Sequence, residues 1–162
     1  MKVREYKTED KEHLVEMFFS MLKTHQDYIS HGEIQMGLSY DGKTLAPDAK
    51  EKWQQYLERQ HSNEKSYIYV LEDKSVIIGF TLLGIEGDYD CDYGVIYDIF
   101  IADSYRGTGA SSNLFQHAID KLKAEGVKDC YLESGVGNHH AHSFFEKKGF
   151  KHVSNIYRLQ DI

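Results

Sequence analysis

Two glycines interrupt the chain where an apolar run gives way to helical spacing, and no other feature constrains the fold as strongly. Val95-Ile-Tyr-Asp-Ile-Phe-Ile101 reads as a strand, while Leu114, Phe115, Ala118, Ile119 and Leu122 recur at helical spacing. Between them lies Asp103-Ser-Tyr-Arg-Gly-Thr-Gly-Ala-Ser-Ser112. Gly107 and Gly109 therefore stand at a helix N-terminus, where the first amides lack intrahelical acceptors and the helix dipole favours negative charge. A turn of this kind lets a phosphate approach bare backbone, and Arg106 adds a fixed cation at its mouth.

Three readings compete for such a turn. The bland one is a tight strand-to-helix connection. A phosphate-binding loop of nucleotide hydrolases requires Gly-Lys-Ser/Thr at its end, and no Lys follows Gly109. A dinucleotide fingerprint would place an acid near Glu133, but its third glycine position is Ser112 and only fifty residues follow the loop.

Further residues carry a family resemblance. Arg106-Gly-Thr-Gly109 after a strand, followed by Asn138-His-His-Ala141 and Phe144-Phe-Glu-Lys-Lys-Gly-Phe150, resembles the GNAT superfamily of acyl-CoA-dependent N-acetyltransferases. The resemblance is dense from about Val95 to Phe150. It implies an α/β fold with a mixed sheet of about seven strands and about four helices, splayed between the fourth and fifth strands. Acetyl-CoA is then the cosubstrate, with no metal. Its pyrophosphate falls to Arg106, Gly107, Thr108, Gly109, Ala110 and Ser111, and its pantetheine arm to the backbone of Ile99, Phe100 and Ile101, with Asn138 and Phe145 alongside. Asn138 reads equally well as the N-cap of the last helix.

Amine acetylation needs a base more than an acid. At pH 7 an alkyl amine of pKa about 10.4 loses its proton at roughly 4.6 kcal/mol, whereas a thiol of pKa about 8.5 ionises at about 2 kcal/mol. The resemblance places two carboxylates near the reaction, Asp98 and Glu133, each a candidate base directly or through water. Each also reads as an ordinary surface or salt-bridged acid. Where many members of the superfamily have a Tyr that protonates the leaving thiolate, this chain has Phe145. That departure keeps open a non-catalytic coenzyme A-binding module beside the reading as an enzyme. The acceptor is expected to be the primary amine of a small molecule, with polyamine-like character suggested by Asp98-Ile-Phe-Ile-Ala-Asp-Ser-Tyr-Arg-Gly, or else a peptide or protein N-terminus. A homodimer is common among such enzymes.

Length and charge fit one domain over residues 1–162. A chain of 162 residues buries about two-thirds of its unfolded surface. Nineteen Lys and Arg against twenty-six Asp and Glu give a net charge of -7, which argues against a nucleic-acid partner and suits a cationic ligand. The charged N-terminal segment and the lack of a long apolar run imply no membrane segment, and two separated cysteines, Cys91 and Cys130, suit a cytoplasmic protein. His139, His140 and His142 lack a carboxylate or Cys at metal-ligand spacing and read as solvated. Glu86, Asp88, Asp90 and Asp92 read as a solvated loop, with an acidic rim for a cation as the alternative.

Strands are expected at 2–7, 67–71, 76–85, 95–101, 127–133 and 150–159. Helices are expected after Thr8, after Pro47, at 110–125 with Gly126 as cap, and at 138–148 closed by Gly149. The segment 24–46 reads as a polar connection; the resemblance implies that Tyr28, His31, Trp53 and Tyr56, in or near the first two helices, border the acceptor pocket, while Trp53 and Tyr56 also read as core residues.

Overall fold

Alternating side chains assign the two faces of the central sheet. In β2 (Ser66–Asp73), Ile68 and Val70 face one way while Tyr69 and Leu71 face the other, and all four are buried. The computed structural model describes residues 1–88 and 90–162. Its strands β1 (Lys2–Glu5), β2, β3 (Val76–Asp88), β4 (Cys91–Ile101) and β5 (Cys130–Leu132) lie in sequence order. The first four are antiparallel, and β5 joins β4 in parallel.

Each face carries its own core. On one, α1 (Lys11–Thr24) and α3 (Ala49–Ser62) bury Leu14, Phe18, Trp53 and Leu57 against Ile68, Val70, Phe80 and Leu82. On the other, α4 (Ala110–Ala124) buries Leu114, Phe115, Ala118 and Leu122 against Leu71, Leu83 and Ile96. Truncating any one of these large side chains to Ala is worth about 2–5 kcal/mol of stability. Two shorter helices complete the order: α2 (His31–Gln35) and α5 (His139–Lys147).

The sheet opens where β4 outruns β5. Pairing spans only Gly94–Ile96 against Cys130–Leu132, after which β4 continues to Ile101 with no strand on that edge. One residue past that pairing the β3–β4 register shifts from Leu83↔Ile96 to Leu82↔Asp98, leaving Tyr97 as an extra residue. Such a bulge bends the strand and re-aims its side chains. Tyr97 and Phe100 both pack on the α1–α3 side, so the intervening alternation puts Asp98 there too.

Five strands form rather than about seven. The expected strand over 150–159 is absent, and residues 151–162 are exposed throughout. Val153, Tyr157 and Leu159 share one parity, as a strand requires, but residues 151–162 pair with no strand and bury none of these side chains. Five α-helices replace about four, because α2 forms inside the segment read as a connection. Ser30 and Glu33 make a capping box there: Glu33 Oε2 accepts from the Ser30 amide at 2.7 Å. α1 starts at Lys11 with Asp10 rather than Thr8 at its N-cap, after a single 3-10 turn. Of the acidic residues expected in a loop, Glu86 and Asp88 lie in β3 and Asp92 in β4, while Asp90 stands in the turn before β4.

Candidate active site

The divergence of β4 from β5 leaves a cleft of about 1110 Å³, open solvent at its mouth included. Its floor is Ile96–Ile101 of β4. One wall comes from the end of β5 and from α5, through Glu133, Asn138, Phe144 and Phe145, and the opposite side from Tyr28, Ser30 and Glu33. Arg106 and Ser111 reach it from the start of α4.

That start is built from backbone. Gly107 and Gly109 adopt φ of +75° and +87°, and a Cβ on either would meet nothing within 4 Å, so the surface above them is open to a ligand. The amides of Gly107, Gly109, Ala110, Ser111 and Ser112 have no acceptor among the described residues. Thr108 turns its hydroxyl inward to the Tyr105 carbonyl at 2.7 Å. The Arg106 guanidinium is held by Asp103 at 2.7 Å. Free amides at a helix N-terminus beside a cation are what a pyrophosphate requires, so the turn fits coenzyme A on the chemistry of its donors.

The far side is built from side chains of three segments. Asp98 is half-buried on the cleft floor, and no donor among the described residues reaches its carboxyl. Desolvation pushes that carboxyl up to about 8, and the negative charges of Glu33 and Glu133 add to the shift. Glu133 has the opposite surroundings. Its Oε1 accepts from Ser30 Oγ at 3.0 Å and from the Gly32 amide at 3.2 Å, and its Oε2 lies 2.6 Å from His31 Nε2. A Cβ at position 32 would lie 2.7 Å from Glu133 Oε1, so any side chain there would displace the carboxylate from this clasp. Glu33 Oε2 accepts from the amide and the hydroxyl of Ser30, at 2.7 and 2.6 Å. Burial raises the Tyr56 hydroxyl far above its ordinary range, with Asp98 the largest charged contributor, which places the ring near the same carboxyl.

Asn138 Oδ1 caps α5 by accepting from the Ala141 amide at 3.1 Å while the residue lines the cleft, so both of its sequence readings fit this position. Phe145 is 8% exposed and packs against Phe144 and Phe150 at the cleft wall. Glu33 escaped sequence reasoning, although the spacing Ser30-x-x-Glu33 was its available signal. Among the described residues, no His, Cys, Asp and Glu cluster of three or more is disposed to hold a metal ion.

A family model described as "Acetyltransferase (GNAT) family" matches residues 34–150. The chain belongs to the GNAT acetyltransferase family. Within this family, N-alpha-acetyltransferase 30 of Schizosaccharomyces pombe is 37% identical over 65 residues, which are 40% of this chain and 43% of that protein. The match thus spans less than half the length of that curated relative. Solved structures share the fold over nearly their whole length. An aminoglycoside 6'-N-acetyltransferase of Acinetobacter haemolyticus has a TM-score of 0.75 at 11% identity, covering 100% of this chain and 99% of that one. Glucosamine-6-phosphate N-acetyltransferase of Arabidopsis thaliana has a TM-score of 0.68 at 18% identity, covering 99% and 98%. Among the described residues, no helix of this GNAT protein is long and apolar enough to cross a membrane.

Proposed function

We propose that the protein is an acetyl-CoA-dependent N-acetyltransferase acting on the primary amine of a small molecule, with Asp98 as base. The carrying observation is the pair of unlike surfaces on one cleft: open amides at one end and an unpartnered carboxyl at the other. Acetyl-CoA supplies the acetyl group, which passes from sulfur to the acceptor nitrogen as coenzyme A leaves. Arg106 and the amides of Gly107 to Ser111 hold the pyrophosphate. The free edge of β4 over Ile99–Ile101 presents backbone groups to the pantetheine arm, with Asn138 and Phe145 on the facing wall.

Asp98 takes the acceptor's proton. Moving a proton from an amine of pKa about 10.4 to a carboxyl near 8 costs roughly 3 kcal/mol, against about 9 for an ordinary carboxylate. Burial therefore converts a poor base into a usable one, with about a tenth of it ionised at pH 7. Glu133, engaged through both oxygens, fits a positioning role better than that of a base. Phe145 donates no proton, and thiolate departure, the less demanding of the two proton problems, is left to solvent.

A second reading takes a peptide N-terminus as the acceptor, on the strength of the 37% identity with N-alpha-acetyltransferase 30. Thiol release from acetyl-CoA with a panel of diamines, aminoglycosides, lysine and N-terminal peptides separates the two. Turnover confined to peptides would replace the small-molecule reading. Acetyl-CoA binding with no turnover on any amine would leave a binding module.

A further inference from the structure

We infer that Asp103 is an internal competitor of the cosubstrate, a positioning residue that acts through Arg106. Its carboxylate occupies the Arg106 guanidinium in the empty cleft, passes to His25 when the pyrophosphate arrives, and reclaims the guanidinium as coenzyme A leaves. The inference rests on the acetyl-CoA reading above and extends it from binding to release.

The three side chains are arranged for exchange. Arg106 Nη2 lies 2.7 Å from Oδ1 of Asp103, three residues earlier, and among the described residues no other carboxylate comes within 4 Å of that guanidinium. The second carboxylate oxygen, Oδ2, lies 3.5 Å from Nε2 of His25, at the C-terminal end of α1. Asp103 thus stands between two basic groups, one on each oxygen. His25 is fixed without it: its amide donates to the Met21 carbonyl at 2.8 Å, and its ring stacks on Tyr28 with centroids 4.6 Å apart and planes within 10°. All three lie at the surface, Asp103 with 59% of its side chain exposed, Arg106 with 33% and His25 with 27%.

An acid at this place opposes an anionic ligand twice. It occupies the cation that the ligand needs, and it repels the ligand itself. A turn built for affinity alone would carry no carboxylate at position 103. The acid has a use because acetyl-CoA and its product, coenzyme A, carry the same pyrophosphate. Contacts to that group are equal before and after transfer, so tightening them holds the product as firmly as the substrate, and product release limits many enzymes. A carboxylate that takes Arg106 back shortens the life of the product complex. His25 keeps its displacement inexpensive by giving the displaced acid a partner. The exposure sets the scale, since an exposed ion pair moves an equilibrium by up to about fivefold, enough to tune release without abolishing binding.

The test measures calorimetric binding of acetyl-CoA and coenzyme A, and binding of S-acetylpantetheine, which lacks the pyrophosphate, by competition with fluorescent etheno-coenzyme A. Release of etheno-coenzyme A chased by excess coenzyme A gives koff. Wild type is compared with Asp103→Asn, His25→Phe, the double variant and Asp120→Asn. Phe keeps a ring to stack on Tyr28 and lacks the ring nitrogen, and Asp120, an exposed acid further along α4, removes the same charge elsewhere. Asp103→Asn should bind acetyl-CoA and coenzyme A about three- to tenfold tighter and release coenzyme A correspondingly more slowly, with S-acetylpantetheine within about twofold of wild type. His25→Phe should weaken acetyl-CoA about threefold, and have no effect once position 103 is Asn. Asp120→Asn should stay within about twofold. Weaker binding in Asp103→Asn, an equal change for S-acetylpantetheine, a His25→Phe effect that persists in the double variant, or the same tightening in Asp120→Asn would each overturn the inference while leaving the cosubstrate reading intact. A wild type that does not bind acetyl-CoA would overturn both.

Discussion

The two ends of the cleft are made in opposite ways. The α4 end consists of consecutive residues, 106–112, and offers mainly backbone amides. The acceptor end gathers Ser30 and Glu33 from α2, Asp98 from β4 and Glu133 from just past β5, and offers side chains. A backbone site recognises a phosphate whatever the surrounding sequence, provided the turn can form. A side-chain site changes with each substitution. The first end suits a cosubstrate common to many relatives, and the second suits an acceptor particular to this chain.

Asp98→Asn tests the division most severely. It leaves the α4 end untouched and removes the proposed base, so kcat should fall by about 10²- to 10⁴-fold with acetyl-CoA affinity unchanged. Wild-type kcat/KM should rise with pH to a plateau above about 8, as Asp98 ionises. Stability should run the other way. The folded state keeps the Asp98 proton up to about 8 whereas the unfolded chain loses it near the ordinary carboxylate value, so stability falls as pH rises between the two. Melting curves of Asp98→Asn should lack that decline.

Gly109→Val attacks the opposite end. A β-branched residue at φ +87° costs roughly 1–2 kcal/mol of stability, and its side chain occupies the space above the amides. Acetyl-CoA affinity should drop by about tenfold or more, read by calorimetry, while acceptor selectivity in residual turnover stays constant. Glu133→Gln should act more mildly, raising the acceptor KM about three- to tenfold with kcat within about threefold, because Gln still accepts from Gly32 but loses the charge facing His31. A collapse of kcat in Glu133→Gln and not in Asp98→Asn would exchange their roles. Smallest of all, Phe145→Tyr should alter kcat by less than about threefold, since leaving-group protonation is the lesser demand.

The same contrast explains what the sequence disclosed. The glycine turn, α4 and the cap of α5 were legible because their determinants are local: two glycines, a 3.6-residue spacing, an Asn three residues before the amide it caps. The acceptor end rests on contacts such as Ser30 to Glu133, 103 residues apart, which no periodicity records. α2, five residues long, is too short to show a helical stripe, so Glu33 was overlooked although its capping spacing was visible. Asp98 and Glu133 were both named as candidate bases, but as equals; only their surroundings in the cleft set them apart. The strand expected at 150–159 has the alternation of a strand in Val153, Tyr157 and Leu159 but no ladder partner in the structure, and pairing across a sheet is a long-range matter that alternation alone does not fix.

The extra residue in β4 sets two adjacent side chains on one face. Tyr97 has no counterpart on β3, and Asp98 follows it onto the α1–α3 side. Excising Tyr97 while β3 and the downstream pairing hold would restore strict alternation and take one side chain, Tyr97 itself, from the cleft floor. Ile96 would then stand directly beside Asp98 while keeping its place opposite Leu83 on the α4 side, so the upstream pairing and the seat of β5 beside Gly94–Ile96 would survive. What the deletion would remove is the local bend and the pair of adjacent side chains on one face, so a single surplus residue shapes the cleft floor without moving the ladder on either side of it.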